Sequence, residues 1–363
     1  MAESCDRIVR SLRAAGAWID VLHLSRRALA AADVHQEGGR LLRRSVGADA
    51  SHDLNVAWAG LSRDPELTAA THVVAFGGAL PLFAAPVLAA WLELPLITLI
   101  RGNDFDAAVF SPRRREALRE AIERAARVCA VSTEKVARIE RLYPGTGVDW
   151  TPNGIDLTRF EPLDDDREAA RRWRSASVEA DRRVIGLFGQ LKRKKGADLF
   201  LDALERSGVA ERVHLLAAGD LEPEAAARLA RVPGGFTTLP FLDRYQLLPY
   251  YLACDLVGLP SLYDGMPNVL LEAAALGIPV LGSTAGGVPD VIENGRSGIL
   301  FPPGDVEACV EAVRGAVGLS NEELARLGES ARATVRERFD HRAEAERYVE
   351  VLRAALEEPS PVG

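Results

Sequence analysis

Cysteine is scarce in this chain of 363 residues. The four present, Cys5, Cys129, Cys254 and Cys309, are far apart and lack C-x-x-C or Cys/His spacing, which argues against a disulfide framework or a zinc site. They fit a reducing cytoplasm best. Histidine is nearly as sparse, and its six positions (23, 35, 52, 72, 214 and 341) show no ligand spacing. No G-x-S-x-G elbow occurs, so a hydrolase-type nucleophile is not indicated. A basic excess is missing too: the formal net charge of -8 speaks against a general nucleic-acid binder. The first twenty residues alternate charged and apolar positions, without the apolar core of a secretory signal. Internal repeats and low-complexity segments are absent. Only Val73 to Leu92 runs uncharged for the length of a bilayer span. Gly77-Gly78, Pro81 and Pro86 break that run into a strand, His72 to Phe76, and a short helix, a buried βαβ unit rather than a transmembrane helix.

What is present is alternation. Apolar strand-like runs at Trp18–Leu24, 72–76, Leu96–Ile100, Val128–Val131, Val184–Phe188, Val213–Ala217, Leu256–Leu259 and Val280–Gly282 are separated by amphipathic helical stretches. This pattern predicts α/β architecture, with parallel sheets covered by helices on both sides. The length exceeds what one core supports, so two domains are expected. A loop rich in Pro, Gly and Asp, Thr151 to Asp166, separates the strand sets and places the domains at 1–156 and 157–340, with a last helix in 341–357. Asp164-Asp165-Asp166 reads as a solvated turn in that loop rather than a metal site, and Glu358 to Gly363 as a frayed tail. The Arg26-Arg27, Arg43-Arg44 and Arg113-Arg114-Arg115 runs are either solvated helix faces or contacts with an anionic membrane surface or acceptor.

The strongest chemical signal lies in 260–272. A buried strand, Leu256 to Leu259, is followed by a turn freed by Gly265 and by a helix from Asn268 to Ala275 that stops at Gly277. Pro267 suits the helix start, so its first N–H groups would face the crevice at the strand's carboxyl end, where a phosphate binds well. Two carboxylates, Asp264 and Glu272, flank that helix start eight positions apart. Hydroxyl-binding carboxylates beside an anion-binding helix end suit a sugar attached to a phosphate.

This pattern resembles the acidic-x7-acidic signature of the retaining family-4 glycosyltransferases, although Asp264 stands where Glu is usual. Four further segments, in the family's order and spacing, extend the resemblance over residues 8 to 350: Asn153-Gly154-Ile155-Asp156 with Phe160, Val184 to Leu191 with Lys192 to Gly196, Leu215 to Asp220, and Gly286-Gly287-Val288-Pro289-Asp290. The resemblance implies the GT-B fold: two doubly wound, Rossmann-like domains facing a central cleft, with the last helix crossing back onto the first. It also implies transfer of a sugar from a nucleotide-diphosphate donor to a hydroxyl of a glycan, a lipid-linked sugar or a small molecule. The donor serves as co-substrate, with no metal and no other cofactor. A cytoplasmic site follows, with peripheral contact at the inner face of the membrane as an option.

By the same resemblance, Lys195 stabilises the leaving diphosphate and Arg193, or in second place Lys192, compensates for Gln190, which replaces the usual Arg. The turn and helix start, Gly265, Met266, Pro267, Asn268 and Val269, bind the donor, Glu272 accepts from ribose hydroxyls, and Asp264 from hydroxyls of the donor sugar. Arg101, where His is usual, follows the strand 96–100; it either binds a phosphate or a carboxylate-bearing sugar, or caps the strand end. Ser132 and Asn153 are lesser crevice candidates, and Gly286-Gly287 either approaches the ligand or forms a plain turn. The family's first strand and glycine-rich loop are not seen ahead of the helix at Asp6 to Ala15. Either the start lies upstream of Met1, the favoured reading, or an interior strand is lost. That departure, with Asp264, Gln190 and Arg101, keeps open a catalytically weak or inactive relative that binds nucleotide-sugar or a partner enzyme. A sugar-nucleotide epimerase is a third reading.

Overall fold

The computed structural model describes residues 2–27 and 30–357; the tail from Glu358 lies outside them. The chain divides into two units, Met1–Pro152 with His341–Gly363, and Asn153–Asp340. Asn153 to Asp156, counted with the first domain on sequence, thus go with the second unit.

In the first unit, strands β1 (Val21–Ser25), β2 (Ala32–Gln36) and β3 (Gly39–Ser45) form a sheet in the order β1-β3-β2. β1 runs parallel to β3, whereas β2 and β3 are antiparallel. This antiparallel pair departs from the expectation of parallel sheets alone, and its cause is local: Glu37-Gly38 turns the chain straight back. A second sheet, β4 (Val73–Phe76), β5 (Leu96–Ile100), β6 (Arg127–Ala130) and β7 (Val148–Trp150), is parallel throughout.

Side chains of a strand alternate between faces, and β5 and β6 show both faces filled. Leu96, Ile100, Val128 and Ala130 pack with Leu118, Ile122 and Ile139 on one side. Ile97, Leu99 and Cys129 meet Ile8, Leu12, Tyr348, Val351 and Ala355 on the other. The helices Ala2–Ala14 and His341–Glu357 therefore cover this second face. The uncharged run forms β4, the helix Ala79–Leu92 and β5. Pro86 sits inside that helix without ending it. No helix among the described residues is long and apolar enough to cross a membrane.

The second unit holds one parallel sheet of six strands: β8 (Arg183–Phe188), β9 (Val213–Ala218), β10 (Phe236–Leu239), β11 (Leu256–Leu259), β12 (Val280–Ser283) and β13 (Gly298–Phe301). Their order is β10-β9-β8-β11-β12-β13. The chain winds outward from β8 in one direction, then returns to β8's other side and winds the other way. The reversal falls between β8 and β11, and a crevice outside the carboxyl ends of such a pair is where open α/β sheets take ligands. Strands β8, β9, β11 and β12 are buried on both faces, which explains their unbroken apolar runs. The segment 151–166 is not one loop. A 3-10 turn, Leu157–Phe160, interrupts it, and Asp164 to Asp166 form the first turn of the helix Asp164–Ser177, where Asp166 accepts from the Leu163 N–H at 2.9 Å. The expected solvated turn is therefore a helix start, stabilised by negative charge at the positive end of the helix dipole.

Candidate active site

Lys195 and Asp264 come from the segments that follow β8 and β11, the two strands at the reversal. The bend that carries Lys195 is closed by the Lys195 N–H on the Lys192 carbonyl at 2.7 Å, and it is tied to the β11 side by the Leu262 N–H on the Lys194 carbonyl at 2.8 Å. Gly196 makes this approach possible. Its φ of +69° lies in the left-handed region, and a Cβ there would collide with the carbonyl of Pro260. Lys195 Nζ then donates to Asp264 Oδ2 in a pair whose side chains are 24% and 13% exposed. The other oxygen, Oδ1, accepts from the N–H of Gly265 at 2.9 Å.

The turn beyond Asp264 is held by the protein itself. Gly265 and Met266 give their carbonyl oxygens to the N–H of Gly287 at 2.6 Å and to Nδ2 of Asn153 at 2.8 Å. A Cβ on Gly286, at φ +59°, would strike the carbonyls of Asp264 and Gly265. Gly286-Gly287 thus serves the close approach of one turn to another. Gly265, Met266 and Pro267 are buried, while Asn268 and Val269 are half-buried. The helix Asn268–Ala275 begins with Pro267 in the capping position and no side chain capping it. Its first N–H groups therefore lack the usual side-chain acceptor. Gln190 and Arg193 are exposed.

Glu272, in the second turn of this helix, is half-buried. Its Oε2 accepts from the hydroxyl of Tyr251 at 2.8 Å. Tyr251 and the link from Asn153 to Met266 are the contacts that the sequence did not show, since their partners stand 21 and 113 positions away on other elements.

Of the two readings of Arg101, the structure shows contacts at the strand end and with the last helix. Its backbone N–H caps on Asp104, at 2.9 and 3.1 Å from the two oxygens. The guanidinium, 6% exposed, turns to the helix His341–Glu357, where Nη1 donates to Tyr348 Oη at 2.6 Å and Nη2 lies 3.8 Å from Glu344. It also lies over the ring of Phe76, 5.5 Å from its centroid. Glu344 is bound by both Nε and Nη2 of Arg7 at 2.9 Å. The result is a buried ionic cluster inside the first unit. Ser132 is likewise structural: it caps the helix Thr133–Leu142 by accepting from the Lys135 N–H at 3.2 Å. No group of three or more His, Cys, Asp and Glu suited to a metal occurs among the described residues.

The comparisons with known proteins agree with this architecture. Sucrose-phosphate synthase from Thermosynechococcus elongatus superposes with a TM-score of 0.79 at 20% identity, over 96% of this chain and 91% of that one. HepE of Anabaena, solved with UDP and glucose, superposes with a TM-score of 0.72 at 20% identity, over 86% of each chain. The fold is that of the GT-B glycosyltransferases. A sequence model of the family described as Glycosyl transferases group 1 matches residues 182–318, and this part of the chain, which carries Lys195, Asp264 and Glu272, belongs to that family. A D-inositol 3-phosphate glycosyltransferase of Saccharomonospora viridis is 30% identical over 68% of this chain and 59% of its own length. A GDP-mannose-dependent alpha-(1-6)-phosphatidylinositol monomannoside mannosyltransferase of Mycolicibacterium smegmatis is 25% identical over 86% and 78%. In three further curated relatives the matched stretch spans 60%, 36% and 52% of their own length.

Proposed function

We propose that this protein is a retaining glycosyltransferase that moves a sugar from a nucleoside-diphosphate donor to an acceptor hydroxyl. The observation that carries the reading is the meeting of Lys195 and Asp264 at the topological reversal, in the segment that belongs to the glycosyltransferase family. The names of relatives supply a common donor chemistry: HepE holds UDP and UDP-glucose, and the mycobacterial relative is named for GDP-mannose. Departure of the nucleoside diphosphate leaves negative charge growing on its phosphates, and meeting that charge is the main catalytic task. Lys195 is aimed at it, with the exposed Arg193 and Gln190 and the amides of Asn268 and Val269 in support. Glu272 takes ribose hydroxyls, and Asp264 hydroxyls of the sugar. When donor arrives, the diphosphate shares or takes over Lys195, and Asp264 is released toward the sugar. The acceptor is a hydroxyl of a glycan, a lipid-linked sugar or a small molecule, and the reaction is written without a metal. Arg101 is engaged with the helix 341–357 through Tyr348 and Glu344, so the reading gives it no step in the transfer.

The test is turnover of a panel of UDP- and GDP-sugars, with nucleoside diphosphate release measured with and without acceptors and the anomeric configuration of product read by NMR. Inverted product refutes the retaining mechanism. Absence of both nucleotide binding and donor hydrolysis refutes the reading as a whole.

Glu272→Gln keeps the shape of the side chain and weakens a charge-assisted bond, so affinity for the free nucleoside diphosphate falls by about 1.5–3 kcal/mol in calorimetry. Unchanged affinity would leave Glu272 as an ordinary helix carboxylate. Asp264→Glu, one methylene longer, changes which donor sugar is preferred while free nucleotide affinity stays nearly the same. The readout is kcat/KM over nucleotide-sugars differing at one hydroxyl. A uniform loss across all sugars would mean that Asp264 only shapes the turn that Gly286 packs against.

A further inference from the structure

Tyr251 stands on the helix Arg244–Leu252 and is 1% exposed, with its ring tilted against Phe188 at 4.1 Å between centroids. A buried hydroxyl needs a partner, and here the partner is the half-buried carboxylate of the donor site: Tyr251 Oη donates to Glu272 Oε2 at 2.8 Å. The direction of this bond is fixed, because burial and the neighbouring Glu272 charge push the phenol well above its ordinary pKa and keep it protonated.

We propose that Tyr251 is a positioning residue for nucleotide recognition: it fixes the Glu272 carboxylate so that the site distinguishes a ribonucleotide from its 2′-deoxy counterpart. The inference rests on the reading of Glu272 as the ribose-binding group. A glutamate side chain has three rotatable bonds, and a carboxylate left to sample them pays for each bound hydroxyl by becoming ordered. The ring of Tyr251, held against Phe188 in the core, has already removed that freedom. A vicinal diol offers two hydroxyls at a set separation, so an oriented carboxylate plane matters more for the diol than for a single hydroxyl. A phenol that merely filled core volume would affect both nucleotides alike.

The experiment is calorimetry of the full chain with UDP, GDP, 2′-deoxy-UDP and 2′-deoxy-GDP, for the natural protein, Glu272→Gln and Tyr251→Phe, with thermal melting of each. The natural protein should prefer the ribonucleotide by about ten- to a hundredfold, the scale of one hydrogen bond to a charged group. Tyr251→Phe should weaken the ribonucleotide about tenfold, leave the deoxynucleotide within about twofold, and so bring the ratio close to that of Glu272→Gln. An equal loss for both nucleotides, or an unchanged ratio, overturns the inference while Glu272 keeps its role. A ratio that Glu272→Gln leaves intact, or failure of the natural protein to bind any of the four, overturns the ribose reading itself. If Tyr251→Phe does not fold, Tyr251→Met, a flexible apolar side chain without a strong donor, takes its place with the same expected ratio; a folded Met variant that keeps the natural protein's discrimination also overturns the proposal.

Discussion

Lys195→Ala lowers turnover by about 100-fold or more at saturating donor, the loss seen when one preorganised donor to a developing negative charge is removed. The argument starts from position. Lys195 is held by a bend that closes on itself, by the Leu262 tie to Lys194, and by a glycine that admits the close approach to Pro260, so its ammonium needs little reorganisation to meet a phosphate. Its present partner, Asp264, is itself proposed to bind the sugar, so the cation is kept in place until donor displaces it. Charge on the leaving diphosphate is greater in the transition state than in the bound donor. The effect therefore falls more heavily on kcat than on KM. The stability change is small by comparison, since the pair is partly solvated. Steady-state kinetics with the best donor and thermal melting separate the two effects. A loss below about threefold in kcat removes Lys195 from the transfer step, and a collapsed melting curve would move its role to folding.

The second unit was legible where both faces of a strand are buried. β8, β9, β11 and β12 read directly as unbroken apolar runs, and the helix Asn268–Ala275 was placed to the residue, because its start at Pro267 and its end before Gly277 are written in local chemistry. Gly39–Ser45, Val148–Trp150 and Gly298–Phe301 were missed, and so were two strands with exposed faces. Ala32–Gln36 carries Asp33, His35 and Gln36 and pairs only as an edge, and Phe236–Leu239 alternates exposed and half-buried positions at the other end of its sheet. Such strands are held by a neighbour's backbone rather than by their own apolar side chains. Asp164 to Asp166 misled for a related reason: acidic residues favour turns and first helical turns equally, and only the capping bond of Asp166 decides. Lys195, Asp264 and Glu272 stand in short contiguous segments that the sequence singles out, but the meeting of Lys195 with Asp264 across 69 positions is not written in either segment. Arg101 was placed at the right strand end, but its contacts with Glu344 and Tyr348 were not legible, since those residues lie more than 240 positions away and no periodicity links them.

That cluster carries the second large effect. Glu344→Ala destabilises the first unit by about 3–5 kcal/mol, because it leaves two guanidinium groups buried without their carboxylate. Glu344 is 2% exposed, and Arg7 and Arg101 are 17% and 6% exposed, so water cannot take its place without local opening. The damage should concentrate where the cluster ties elements together. Amide exchange should accelerate in the helices Ala2–Ala14 and His341–Glu357 while the amides of β8, β9, β11 and β12 keep their protection, a distinction that a single melting temperature in a two-unit protein would blur. The sign of the ionic contribution can be checked separately. Replacing all three partners by apolar residues, Arg7→Met with Arg101→Met and Glu344→Leu, removes the unpaired charges along with the pair, so the triple variant should be less destabilised than Glu344→Ala alone. If Glu344→Ala instead leaves exchange in 341–357 unchanged, the cluster contributes nothing to holding that helix. The orientation of Arg101 toward it would then no longer argue against a role for Arg101 at the ligand.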